Sequence, residues 1–224
     1  MTIDALKQLP RMKMPRAPII LGLRTIIVGA IDAILNVGVF VAIALGFGIW
    51  SSLILVERGS GLTTKTSGAW VMWLSAGRPD ADPYTRAHFS RSGSLPLSST
   101  AIHTWEARVD DDGQKLHSSC EYAMQGDGLE GDWWSLAVFD EKGRLIANAA
   151  ERYAYNARTI ALGADGSYIV TLARDARPGN WLPTGGAGRL VLVMTRPAPR
   201  PNATAAELQA ATRGLPAIRR IACR

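Results

Sequence analysis

IHTWEARVDDDGQKLHSSC, residues 102–120, carries the pattern that decides the fold class. From Ile102 to Val109 the side chains alternate, with Trp105, Ala107 and Val109 on one side and Glu106 and Arg108 on the other. That is the period of a half-buried strand. Asp112-Gly113 is a hairpin signal, because both residue types tolerate positive φ. A hairpin closed on this turn sets Val109 opposite Leu116, Ala107 opposite Ser118 and Trp105 opposite Cys120. Apolar and small residues then share one face, and a slip of one residue would mix the faces. The expectation is an antiparallel hairpin with Cys120 on the core face beside Trp105.

Downstream, the same texture of short apolar runs and turns continues. Trp133 to Phe139 is apolar on both faces and reads as a central strand, with one of Trp133 and Trp134 in the core. Asp140 to Gly143 is a turn, and Arg144 to Asn148 is the expected return strand. Asp165-Gly166 turns the chain into a strand over 167–173. Residues 174–188, with four glycines and two prolines, read as a loop, followed by a strong strand over 189–195. Thr204 and Glu207 form a capping box for a short C-terminal helix that ends near Arg213, with Gly214 beyond it. At least six short strands with hairpin connections argue a mainly β protein, an antiparallel β-sandwich or jelly roll.

Upstream the character changes. Residues 57–100 are rich in Gly, Ser, Thr, Arg and Pro, with one apolar patch from Trp70 to Leu74. They read as a lead-in containing a short helix or strand. Before them, Ala33 to Val56 runs for 24 residues without a charged side chain. At ~1.5 Å per residue a helix of this length crosses a ~30 Å hydrocarbon core. A cleaved signal has a shorter apolar run and small residues before the cut, which are missing here. Trp50 suits the far interface. Five basic residues precede the run (Lys7, Arg11, Lys13, Arg16, Arg24), so the positive-inside rule keeps that end cytoplasmic. The organisation expected is a basic cytoplasmic N-terminus over 1–25, a transmembrane helix over 26–56, a linker and lead-in over 57–100, and a periplasmic β-rich domain over 101–224. The location is a bacterial inner membrane, crossed once.

Charge excludes one class of partner. The net charge of +6 divides equally, +3 on residues 1–56 and +3 on the rest. No basic stripe or nucleic-acid motif accompanies it, so no nucleic-acid partner is expected. Two cysteines in a periplasmic domain favour a Cys120–Cys223 bridge, with two unpaired thiols as the alternative. The bridge would be worth up to ~4–5 kcal/mol in the chain-entropy account.

Candidate chemistry is sparse. His88, His103 and His117 fit no zinc spacing, and no nucleophile elbow, P-loop or dinucleotide fingerprint occurs. Asp110 to Asp112 and the acids between Asp127 and Asp132 read as solvated turns. No catalytic residue, metal or cofactor is expected. The most suggestive segment is 179–183, a Trp within a Gly/Pro-rich loop. Trp181 is either a plug over the open end of the domain, the default for so large a side chain, or a stacking surface for a ligand. If a binding site exists, its residues are Trp181, Asn180, Arg152 and Tyr155.

An ordered set of fragments adds a resemblance. Asp82 to Ala87, Asp112-Gly113, Trp133 to Leu136, Phe139-Asp140, Asp165 to Ser167, Asn180 to Pro183, Leu215 to Arg219 and the Cys223 tail follow one another as in the bacterial domain-of-unknown-function family 1214. The resemblance covers roughly residues 82–224. It implies a jelly-roll-like sandwich in a short membrane-anchored form, often encoded beside a partner of family 1254. It implies no settled reaction, so no catalytic role is carried over. The function expected is a non-enzymatic subunit or binding module acting with a family 1254 protein. The alternatives are a sugar- or lipid-binding envelope domain, and a hydrolase-like enzyme active only in a complex.

Overall fold

The computed structural model describes residues 18–127, 133–200 and 214–224. The chain divides into two units, Met1–Leu53 and Ile54–Arg224.

The first unit is dominated by α1 (Pro18–Arg58), a single helix of 41 residues. Its stretch Ile26–Arg58 is long and apolar enough to cross a membrane. Phe40, Phe47 and Trp50 along it are all more than half exposed. A helix that is apolar on every face has no use for a water-facing side, so this surface matches lipid.

The second unit is mainly β. In chain order it contains β1 (Thr64–Ser67), β2 (Trp70–Trp73), α2 (Pro83–Ser92), β3 (Ile102–Ala107), β4 (Cys120–Gly126), β5 (Ser135–Asp140), β6 (Ala154–Asn156), β7 (Tyr168–Ala173), β8 (Asn180–Pro183), β9 (Leu190–Pro197) and β10 (Ala217–Cys223). One sheet has six strands in the order β1-β2-β3-β9-β5-β6, and the other has four in the order β10-β4-β7-β8. Every pairing is antiparallel except β7 with β8. The strand period of two sends Trp70, Trp105, Leu136, Leu192 and Met194 of the first sheet and Tyr122, Met124, Val170 and Leu172 of the second into one shared hydrophobic cluster. Each large apolar side chain so buried contributes roughly 1.5–3 kcal/mol. Of the two adjacent tryptophans, Trp134 is buried and stacks on Tyr168, while Trp133 is exposed.

The hairpin expected over residues 102–120 is corrected. The turn exists: Val109 bridges Lys115, and Gly113 has φ 77°. The ladder stops there. β3 is flanked by β2 and β9, and the chain crosses to the other sheet before β4 begins. Ser118 N–H donates to the Gly188 carbonyl, and Tyr122 Oη accepts from His117 N–H, so the corner has its own partners. Trp105 and Tyr122 both face the core, but from opposite layers. Alternation alone cannot distinguish two strands of one sheet from two facing strands.

Other segments also differ from expectation. Residues 144–148 form only a Phe139–Leu145 bridge, and the strand beside β5 is β6. The 174–188 loop contains β8, paired with β7. The lead-in contributes β1 and β2 to the large sheet, with Trp70 in the core. The expected short C-terminal helix, its Thr204–Glu207 box and the acids at 128–132 lie outside the described residues. The basic tail is β10, bonded to the edge of β4 and joined to it by a Cys120–Cys223 disulfide. Asp110 is not solvated; it is buried and paired with Arg220 of β10.

Candidate functional site

The structure brings three of the four sequence-chosen residues together. Trp181 on β8 donates its N–H to Tyr155 Oη at 2.9 Å, and Tyr155 Oη donates back to the Trp181 carbonyl at 3.4 Å. Arg152 Nη1 reaches both that phenol (3.2 Å) and that carbonyl (3.4 Å), with its guanidinium about 6.0 Å from the Trp181 ring centroid. The Trp181 Nε1–H donates to the Ala173 carbonyl. Asn180 lies next in sequence but is buried and faces elsewhere. Its side-chain amide bonds Ala161 N–H, the Ala161 carbonyl and the Ile169 carbonyl. These polar groups are spent on fastening β8 and the 156–161 segment to the sheets. The cluster is a structural clasp in which Arg152 is exposed and Trp181 partly buried.

The larger concavity lies elsewhere. It covers about 510 Å³ on the outer face of the six-stranded sheet, within the ~300–1,000 Å³ range of ligand sites. The register builds its floor. In one row Val71, Glu106 and Val193 lie side by side, and one step along Val191 pairs with Phe139 near Arg108. These residues alternate with the inward-facing Trp70, Ala107, Leu192 and Val138. β9 and β5 are therefore apolar on both faces, which a sheet tolerates only where a second layer covers it.

That second layer is partial and comes from the lead-in. The N-cap of α2 is Asp82, which accepts N–H bonds from Tyr84 and Thr85, with Pro83 at the start of the helix. Gly93 closes it in the left-handed conformation (φ 67°). Both are strong helix signals. Burial pushes the Asp82 carboxyl up, but hydrogen bonds from Thr85 Oγ1 and N–H, Ser75 and Tyr84 outweigh it and hold it below its ordinary value. From α2, Phe89 packs edge-on against Trp73, and His88 stacks on the same indole at 4.2 Å. The His88 Nδ1–H donates to the Val56 carbonyl, and Arg91 pairs with Glu57. The strap after α2 runs through Leu95, Pro96 and Leu97 to Ser99, whose N–H and Oγ donate to the Ala76 and Leu74 carbonyls. Gly77 (φ +64°) admits it, because a Cβ there would sit 2.7 Å from the Leu97 backbone. Leu95 is 98% exposed, so the strap leaves apolar surface at the groove mouth.

The groove has two chemically different ends. Toward Ile102 its walls are Trp73, Phe89 and the strap. Toward the β5 turn they are Arg108, Glu141 and Lys142. Glu106 is held by Arg108, Glu141 by Arg189 and Asp140 by Arg144. The Lys142 ammonium pairs with no carboxylate of the described residues. Sequence reading passed over this groove. Its signals were the two-faced apolar strands and the Asp82-Pro83 start of α2.

The molecule is thus a mainly β protein of two sheets around one core, led by a helix able to span a membrane. Residues 101–201 match the family described as "Protein of unknown function (DUF1214)", which supports the resemblance noted from the sequence. The match is shorter than the 82–224 resemblance. The crystal structure of the VPA0106 protein from Vibrio parahaemolyticus is similar over 79% of this chain and 43% of its own, at 18% identity and a TM-score of 0.52, a likeness of fold. A putative uncharacterized protein from Burkholderia cenocepacia aligns over 81% of this chain and 42% of its own, at 19% identity and a TM-score of 0.40. The chain spans less than half the length of both. No curated protein matches it.

Proposed function

We propose that this chain is a single-pass, inner-membrane-anchored binding module whose β-domain stands on the periplasmic side and acts with a family 1254 subunit. It takes a small ligand with an apolar body in the groove over the six-stranded sheet and catalyses no reaction of its own. The observation that carries the reading is that groove: about 510 Å³ of open, largely apolar space over strands whose outer residues need cover. Positive residues before the span and a disulfide after it support the orientation.

Two measurements test it. Alkaline phosphatase fused after Arg224 is expected to be active, which requires export. Mild-detergent purification from the native membrane, with mass spectrometry, is expected to recover a stoichiometric family 1254 protein and a bound small molecule. Val193→Trp, which fills the groove floor, is expected to lose the small molecule. Turnover by the protein alone, abolished by a point mutation, would overturn the non-catalytic reading.

A further inference from the structure

We infer that the groove binds one long acyl chain carrying a single negative charge, a free long-chain fatty carboxylate, with its methyl end at Trp73 and Phe89 and its carboxylate at Lys142. The inference rests on the binding-module reading and names its ligand.

Length is the first argument. From Ile102 to Arg108 the floor spans six residue-to-residue steps, about 20 Å at the strand rise. That is the reach of one extended long-chain fatty acid. The volume of about 510 Å³ suits one such chain. Each methylene withdrawn from water contributes about 0.8 kcal/mol.

Polarity sets the direction. The Ile102 end is aromatic and aliphatic. At the other end the carboxylates already hold arginines, which leaves the Lys142 ammonium for one anionic group. An anion at the opposite end would meet the Trp73 and Phe89 rings and no unpaired cation of the groove.

Position supplies the third argument. The roof helix α2 bonds to Val56 and Glu57, the last turn of the helix that is apolar enough to span a membrane. The exposed Leu95 and Leu97 stand at the groove mouth. One chain and one counter-cation favour a fatty carboxylate over a two-chain phospholipid.

The test uses the whole chain in phospholipid nanodiscs and two photoreactive palmitates, one with a diazirine near the methyl end and one near the carboxylate. The first is expected to label peptides containing Trp73 and Phe89, and the second those containing Lys142. Unlabelled palmitate is expected to suppress both. Lys142→Glu should raise the competing palmitate concentration roughly fivefold, the worth of one exposed ion pair. Val193→Trp should abolish labelling with its melting temperature kept. If that variant folds poorly, Leu97→Glu, on the exposed strap, serves instead and should weaken labelling severalfold. Labelling confined to α1, labelling unchanged by both variants, or both analogues marking the same peptides would overturn the inference. So would preferential labelling by a phosphatidylglycerol analogue. If palmitate fails while Val193→Trp still releases the native small molecule, the acyl assignment falls and the binding module stands. If Val193→Trp changes neither, both fall.

Discussion

Arg220 Nη2 donates to Asp110 Oδ2 at 2.7 Å, joining β10 to the turn that follows β3. The carboxylate is 1% exposed and the guanidinium 31%. Beside it, Asp111 exchanges bonds with the Ile218 backbone, its N–H donating to the carbonyl and its Oδ2 accepting the N–H. A short acidic run thus fastens an edge strand from 110 residues away. Arg220→Ala leaves a buried carboxylate without its cation. We expect a loss of about 2–4 kcal/mol, below the cost for fully buried pairs because Arg220 is partly exposed. Urea unfolding of the chain in nanodiscs, followed by tryptophan fluorescence, measures it. A change under ~0.5 kcal/mol would mean that the pair is dispensable.

The disulfide closes the same strand. With Cys120 and Cys223 separated by 103 residues, its loss is expected to cost up to ~4–5 kcal/mol. Maleimide should find no free thiol in the unreduced chain, even after denaturation. Cys223→Ser should release β10 to protease first, with cleavage after Arg219 or Arg220. Protection equal to the parent would show that Asp110 and Asp111 hold the strand unaided.

Acid should loosen the groove roof. The Asp82 carboxyl is held below its ordinary value in the folded chain, so its contribution is fully present above the unfolded carboxylate value of about 3.9. It is lost as pH falls through the lower, folded value. Exchange of the α2 amides should therefore rise below about pH 4. Asp82→Ala should raise that exchange at neutral pH, costing ~1 kcal/mol. Identical profiles for parent and variant would contradict the cap's role.

Tyr155→Phe removes the phenol oxygen that accepts the Trp181 N–H. That N–H is only part-buried, so the loss is expected at about 1 kcal/mol, the low end for an unmade bond. Trp181→Ala is expected to lower the melting temperature as well. Both variants should leave palmitate labelling of the groove unchanged, since the clasp is no part of its lining. Normal melting with lost binding would return the site to Trp181.

Gly77→Ala is expected to displace the Leu95–Leu97 strap, because the new Cβ meets backbone on a residue already at positive φ. The measurable outcome is a drop of about 1–3 kcal/mol, together with weaker palmitate labelling. An unaltered melting temperature would show that the strap gives way freely.

The sequence by itself determined what depends on local period and composition. A long uncharged apolar run makes a helix sheltered from water, alternation around Trp105 makes a half-buried strand, and the unbroken apolar run around Leu192 makes a strand covered on both faces. Asp112-Gly113 placed its turn, and the two cysteines favoured the bridge that the structure contains. Of the four candidate binding residues, Arg152, Tyr155 and Trp181 do meet. Only the tertiary structure decided which strands are neighbours, because an apolar face fits a partner in the same sheet or one across the core equally well. β3 and β4 look like a hairpin for that reason and lie in different sheets. The same holds for Asp110, polar by type and buried because Arg220 reaches it, and for Asn180, whose amide is spent on backbone. The groove was the least legible feature. It is made from the outer faces of β2, β3, β5 and β9 and a strap from the lead-in, brought together by pairings between residues far apart in the chain.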